Sequence, residues 1–234
     1  MGQHGKHGPL VTARLALLLS LAAAPAAAEC RLALLLGLDI SSSVDAEEDA
    51  LQRQGLSAAL RAPEVAAAAL AIPGSPVALA VFEWSGRWQQ ELILDWTLLN
   101  SPADLARASD AISASSRSYA DFPTAAGYAL GHASTLMARS PDCLFRTLDM
   151  SGDGVNNEGF PPALAYENFA FDEITVNGLP ITGHDASVVT FYEREVLHGP
   201  GAFMEIADGF EDFERAMRRK LEREMGVRTL GLAR

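Results

Sequence analysis

Short apolar runs alternate along the chain with longer, partly apolar stretches, and polar residues collect where the runs end. Leu32 to Leu38 is nearly all apolar, as expected of a parallel strand covered on both faces, and polarity switches at once at Asp39, Ser41 and Ser43. Val44 to Arg61 predicts a helix with acids Asp45, Glu47, Glu48 and Asp49 in its first turn, where the macrodipole favours them. Ala66 to Ile72 continues in helical character until Pro73, Gly74, Ser75 and Pro76 break the chain. Val77 to Trp84 and Glu91 to Trp96 predict two strands, antiparallel to one another because the connection through Ser85, Gly86 and Arg87 is short.

Ser101 and Pro102 start a helix that runs to about Ile112, and the serine-rich segment from Ser113 to Asp121 reads as a surface loop. Pro123 and Thr124 open a further helix reaching Ala138, with Ala126, Leu130, Ala133 and Met137 on one face and Gly127 and Gly131 allowing close packing on a sheet. Leu144 to Met150 is the next strand and hands its chain to Ser151, Gly152, Asp153 and Gly154. Beyond it come a short helix from Pro161 to Phe169, a strand from Glu173 to Leu179, a helix from Ser187 to Val196 and a sixth strand from Ala202 to Ile206. The last element, Gly209 to Met225, is amphipathic, with Phe210, Phe213, Met217 and Leu221 inward and Arg218, Arg219 and Lys220 near its end. Strands alternating with helices imply an α/β fold: a doubly wound, mostly parallel six-stranded sheet with one antiparallel edge strand and helices on both faces.

Composition agrees with one such domain: 234 residues, 49% hydrophobic and 21% charged, suffice for one sizeable core. Residues 1–28 stand apart, with Lys6 and Arg14 flanking a polar start, an apolar Leu15 to Ala24 and small residues at Ala26 to Ala28. This is the pattern of a secretory signal peptide, too short to span a bilayer, with cleavage expected near Ala28 and residues 29–234 left as a single domain. Glu29 before Cys30 disfavours lipid attachment there. The expected location is periplasmic or secreted. Loss of the leader moves the formal charge from -12 to -14, which argues against nucleic-acid or anionic-membrane partners.

Export permits disulfides, and Cys30 and Cys143 each stand just before an apolar run, nine and ten residues before Asp39 and Asp153. If those runs are adjacent parallel strands in register, the two sulfurs meet, so a Cys30–Cys143 bridge is expected.

Ligands of open α/β sheets bind beyond the carboxyl ends of strands. Asp39, Ser41 and Ser43 at such an end are hard oxygen donors, suited to Mg²⁺, Mn²⁺ or Ca²⁺, yet the same residue types also cap helices, and both readings stand at this point. His132, His184 and His198 show no metal spacing, and neither a Gly-x-Ser-x-Gly elbow nor a phosphate-binding Gly-x-x-x-x-Gly-Lys loop occurs. No catalytic residue is identified.

Taken together, Asp39-x-Ser41-x-Ser43, Thr124 and Asp153-Gly154, in that order, resemble the von Willebrand factor A domain and its metal-ion-dependent adhesion site. The resemblance covers about residues 31 to 225. Phe82 to Gly86, Ser151 to Asn157 and Gly199 to Phe203 are also similar to a bacterial secreted set, domain-of-unknown-function family eleven-ninety-four.

The resemblance implies one divalent ion, Mg²⁺ by family habit, held by Ser41, Ser43 and Thr124 through hydroxyls and by Asp39 and Asp153 directly or through water. It implies further that a carboxylate of a protein partner completes the shell. Behind the ligands, Glu83, Asp121 and Asn156 are candidates for support, with a solvated or surface role as the alternative for the two acids. Tyr119 to Pro123 departs from the glycines common before the family's Thr. A Mg²⁺-dependent phosphoester hydrolase and a scaffold with a vestigial site are the competing readings. Ser41 stands where the Asp-x-Asp-x-Thr pattern of haloacid-dehalogenase-like phosphatases needs its second Asp.

Overall fold

Among the described residues, five strands form one sheet in the order β3-β2-β1-β4-β5. The computed structural model describes residues 1, 2, 5 and 30–226, so the expected cleavage point near Ala28 lies outside the described residues. In chain order the elements are β1 (Cys30–Asp39), α1 (Ala46–Arg61), α2 (Pro63–Ala69), β2 (Val77–Trp84), β3 (Gln90–Leu99), α3 (Pro102–Ser113) and α4 (Ala126–Met137). β4 (Cys143–Gly152), α5 (Pro162–Asn168), β5 (Ile174–Pro180), α6 (Val188–Phe191) and α7 (Phe213–Met225) complete the set. A π-helical turn, Tyr192–Val196, extends α6, and a 3₁₀ turn, Phe210–Asp212, leads into α7.

β1 pairs in parallel with β2 and β4, β4 in parallel with β5, and only β3 runs antiparallel, beside β2. The uninterrupted apolar runs of β1 and β2 are explained by burial at every position. On one face, alternate residues Leu32, Leu34, Leu36 and Leu38 meet α1, α2, α3 and α7; on the other, Leu35 joins a cluster with α4, α5 and α6. Strand order reverses between β1 and β4, and the crevice at their carboxyl ends is where such sheets take ligands.

The expected sixth strand does not form. Residues 202–206 run beside β5 but touch it through isolated parallel bridges, Gly178 to Met204 and Ile181 to Ala207. Asn177 diverts the ladder: its Oδ1 accepts from Phe203 N at 3.0 Å, a side chain taking a bond that a regular strand pair would give to backbone. Two further expectations change. Pro123 and Thr124 precede the helix, which begins at Ala126. Gly127 and Gly131 face Phe160 and Phe169, not the sheet.

Cys30 and Cys143 are register partners and form the expected disulfide, with Cα atoms 4.5 Å apart. The bridge closes 113 residues of sequence, a long loop whose entropy in the unfolded chain it restricts. Replacing both cysteines by serine is therefore expected to lower the unfolding free energy by about 2–5 kcal/mol. Urea denaturation with and without reductant measures this, and a midpoint that ignores the bridge would refute it.

Candidate metal centre

The first question is what Asp39, Ser41 and Ser43 do locally, because residues of these types could all be spent on capping α1. They are not. Asp45 caps the helix: its Oδ1 accepts from Glu47 N and Glu48 N at 2.8 and 2.9 Å, and Glu48 Oε2 accepts from Asp45 N at 2.8 Å. This reciprocal capping box satisfies the helix start and leaves the three residues before it for other work.

Those residues stand at the switch point, Asp39 and Ser41 turned inward and Ser43 exposed. Asp39 and Ser41 are fully buried, and Asp39 Oδ1 accepts from Ser41 N at 2.7 Å. Ser43 Oγ lies 3.2 Å from Ser41 Oγ and donates at 2.7 Å to Oδ1 of Asp153, which is equally buried. A Cβ placed on Gly154 would stand 3.6 Å from Thr124 Oγ1 and 3.9 Å from Ser43 Oγ, so these hydroxyls flank one small space kept open by a missing side chain. At Gly152 a Cβ would meet Asp39 Oδ2 at 2.7 Å and the Tyr192 hydroxyl at 2.8 Å. Any larger residue there would displace the carboxylate.

The electrostatics are unbalanced in one direction. Asp39 Oδ2 and Asp153 Oδ2 are buried without a hydrogen-bond partner. Burial and the neighbouring Asp153 charge push the Asp39 carboxyl up to about 7, against the pull of the Ser41 N–H. Burial likewise raises Asp153, with Ser43 opposing it. Two desolvated carboxylates side by side are unfavourable unless a cation or proton joins them. Among the described residues no three His, Cys, Asp or Glu side chains gather at metal-binding spacing. The donors here are two carboxylates and three hydroxyls, a hard-oxygen set that fits Mg²⁺, Mn²⁺ or Ca²⁺.

The supporting residues differ in part from those expected. Glu83 is buried, but its carboxylate is taken by Arg53, and its Oε1 accepts from Ser118 N at 2.9 Å. It braces the segment that leads to Thr124, and is not a surface acid. Asp121 is exposed, with a positive φ of 62° in the turn before Pro123. Asn156 Oδ1 accepts from Gly127 N at 3.3 Å and so holds the start of α4.

Its neighbour Asn157 grips Thr124 from both sides. The Asn157 Oδ1 accepts from Thr124 N at 2.9 Å, while Asn157 N donates to Thr124 O at 2.9 Å. Two further positioning residues lacked a sequence signal. Arg117, in the serine-rich segment, donates to the carbonyls of Ile40, Ser41 and Val44 at 2.6 to 2.9 Å, and to Tyr119 O at 2.6 Å. Gln52 of α1 donates to Asp39 O at 2.9 Å and lies 3.0 Å from Ser151 Oγ, tying the ends of β1 and β4.

A family profile described as "Protein of unknown function (DUF1194)" matches residues 29–229. The chain belongs to the DUF1194 family. No curated protein matches it. Several solved structures share the fold of this DUF1194 protein. A von Willebrand factor type A protein from Catenulispora acidiphila matches with a TM-score of 0.59 at 19% identity, over 86% of this chain and 44% of that one. Proximal thread matrix protein 1 from the mussel byssus, with a zinc-occupied MIDAS motif, gives a TM-score of 0.60 at 14% identity, over 83% and 48%. The PilB minor pilin from Streptococcus sanguinis gives 0.60 at 12%, over 86% and 62%. The DUF1194 chain thus spans less than two thirds of each of these relatives. At such identities the likeness establishes the von Willebrand factor A fold. No described helix is long and apolar enough to cross a membrane.

Proposed function

We propose that this protein is an exported binding module in which Asp39, Ser41, Ser43, Thr124 and Asp153 hold one divalent ion, Mg²⁺ in the first instance, that engages a carboxylate of a protein partner. The observation that carries the reading is the pair of buried, partnerless carboxylate oxygens, Asp39 Oδ2 and Asp153 Oδ2, beside hydroxyls that capping does not use. A divalent ion bound there would supply an electrophilic position that neutral hydroxyls leave incompletely neutralised. The chain's own part is to fix the oxygens. Asn157 aims Thr124, Arg117 clamps the loop after β1, and Gln52 joins β1 to β4. The disulfide and the leader-like segment at residues 1–28 support export.

Calorimetric titration with Mg²⁺ and with Mn²⁺ is expected to show one site in the wild type and none in Asp39→Ala. A ligand bound only to the native state must also stabilise it, so at 100 times its dissociation constant the ion should add about 2.7 kcal/mol. Thr124→Ala should keep the fold and weaken the ion. Absence of heat in the wild type, together with an unchanged melting temperature, would remove the metal-based reading.

A further inference from the structure

Beside the candidate centre lies a surface that the metal site does not explain. Ser42 N donates to Phe122 O at 2.8 Å, so the loop carrying Ser41 and Ser43 is joined to the segment bearing Phe122, which is 36% exposed. Tyr119 stands edge-on to Phe122, with ring centroids 5.9 Å apart. The turn between β2 and β3 lies against the same segment: Ala125 N donates to Ser85 O, and the Cβ site of Gly86 is 3.5 Å from Phe122 Cβ. That turn projects Trp88, which is 79% exposed and contacts Tyr128 of α4 at 6.1 Å. Tyr128 in turn meets Phe160 at 4.3 Å, so the aromatic groups run from the rim of the centre along α4. Nothing in the fold requires an indole in solvent at this turn. Exposed aromatic groups of this kind, carried on a turn and on the segment packed against it, mark contact surfaces and supply most of the energy where a partner buries them.

The charge around the patch states what its occupant must look like. Asp121 precedes Phe122 and is exposed, and Asp45 and Glu47, just after Ser43, are exposed too. Glu91 accepts from the Tyr119 hydroxyl at 2.7 Å. Arg87, over the Tyr128 ring, is already paired with Glu158 at 3.2 Å. The rim's other cation is His184, already 2.7 Å from Glu48, so a partner offering only acidic groups would meet mostly like charge around the ion. We propose that the ridge of Phe122, Trp88 and Tyr128 docks a polypeptide segment of the protein partner, in which one carboxylate is flanked by basic residues and by a large aliphatic side chain. The carboxylate goes to the ion, the basic residues lie over Asp121 and Glu47, and the aliphatic group covers Trp88. This rests on the ion-held carboxylate proposed above, and it adds the rule by which one acidic segment is chosen over another.

Three labelled twelve-residue synthetic peptides test it, each with a single central Asp, flanked by Lys and Leu, by Lys and Ser, or by Glu and Leu. Their binding to the full chain is followed by fluorescence anisotropy in Mg²⁺ and in chelator. The Lys–Leu peptide is expected to bind about tenfold more tightly than either of the others. The advantage of Leu over Ser should vanish in Trp88→Ala, whose fold is checked by thermal melting. The advantage of Lys over Glu should shrink as salt is raised. The ridge is refuted if wild type does not distinguish the peptides, if Trp88→Ala keeps the Leu preference, if no peptide binds at about 1 mM, or if a neutral oligosaccharide displaces the Lys–Leu peptide. Preferences that persist in chelator uphold the ridge and count against the metal reading. Mg²⁺-dependent binding without preferences does the reverse.

Discussion

Lys220→Met is expected to lower the stability of the protein by about 3–5 kcal/mol at pH 8, and by clearly less at pH 5. Lys220 is fully buried under the sheet, with Nζ 3.3 Å from Asp149 of β4 and 3.2 Å from Glu224 one turn along α7. The ammonium also stands 4.3 Å from the Phe203 ring centroid, and Asn177 donates to Glu224 Oε1 at 2.6 Å. Removing the cation leaves two buried carboxyls facing each other, and breaking a buried pair costs far more than breaking one in water. The sign of the pH effect follows from Asp149, whose carboxyl burial pushes up to about 7, with Lys220 opposing and Glu224 adding to the rise. An acid with a higher pKa in the folded state contributes stability at low pH and loses it as pH rises through about 7. Without Lys220 that carboxyl rises further, so the loss grows between pH 5 and pH 8. At pH 5 Asp149 is protonated in both proteins, and the difference narrows. Urea denaturation at the two pH values measures both quantities; a loss that is equal at pH 5 and pH 8 would show that Asp149 is not the group left uncompensated.

Gly127→Ala should be the most damaging single methyl group near the candidate centre. A Cβ at Gly127 would lie 2.0 Å from the Phe160 carbonyl oxygen and 2.7 Å from Phe160 Cδ2. A backbone oxygen cannot swing aside, so α4 and the segment after β4 must part, at a cost of about 1–3 kcal/mol or more. That segment carries Asn156, bound to Gly127 N, and Asn157, bound to both sides of Thr124. The substitution is therefore expected to weaken Mg²⁺ binding at least tenfold as well as to lower the melting temperature. Gly131→Ala is the control. There the nearest atom is Cζ of Phe169 at 2.9 Å, the far end of a 40% exposed ring that can turn away. Equal melting temperatures for the two variants would remove the argument.

The strand pairs show how much of the fold is legible in local pattern. Apolar runs at residues 32–38, 77–84 and 144–150 each end at or near an oxygen donor, and each is a central or near-central strand in parallel register. The place of each cysteine just before an apolar run anticipates the bridge, because those runs are adjacent parallel strands in which Cys30 and Cys143 are register partners; the Asp residues, nine and ten positions on, are one residue out of step. Residues 202–206 mislead for the complementary reason. They run half-buried beside β5, with Ile206 41% exposed, and whether such a segment joins a sheet depends on where its backbone groups bond; the Asn177 side chain takes Phe203 N, and the pairing stops at isolated bridges.

The candidate centre divides in the same way. Asp39, Ser41, Ser43, Thr124 and Asp153 are visible as residue types in order, but the choice between helix cap and cation site turns on Asp45, whose capping box is a matter of hydrogen-bond geometry. Lys220 reads as one of three cations near a helix end, and it is the one that α7 turns inward to Asp149. Glu83 reads either as a support for the site or as a surface acid, and is the buried partner of Arg53. Arg117 reads as one more polar loop residue and is the clamp on the loop after β1. The sequence by itself determined the α/β alternation, the parallel core strands and the oxygen donors at their ends, because hydrophobic period and strand-end chemistry are local properties of a chain. Only the tertiary structure decided which polar side chains are buried against one another. Those pairings join residues tens of positions apart, and their partners become available only when the sheet and its two layers of helices are in place.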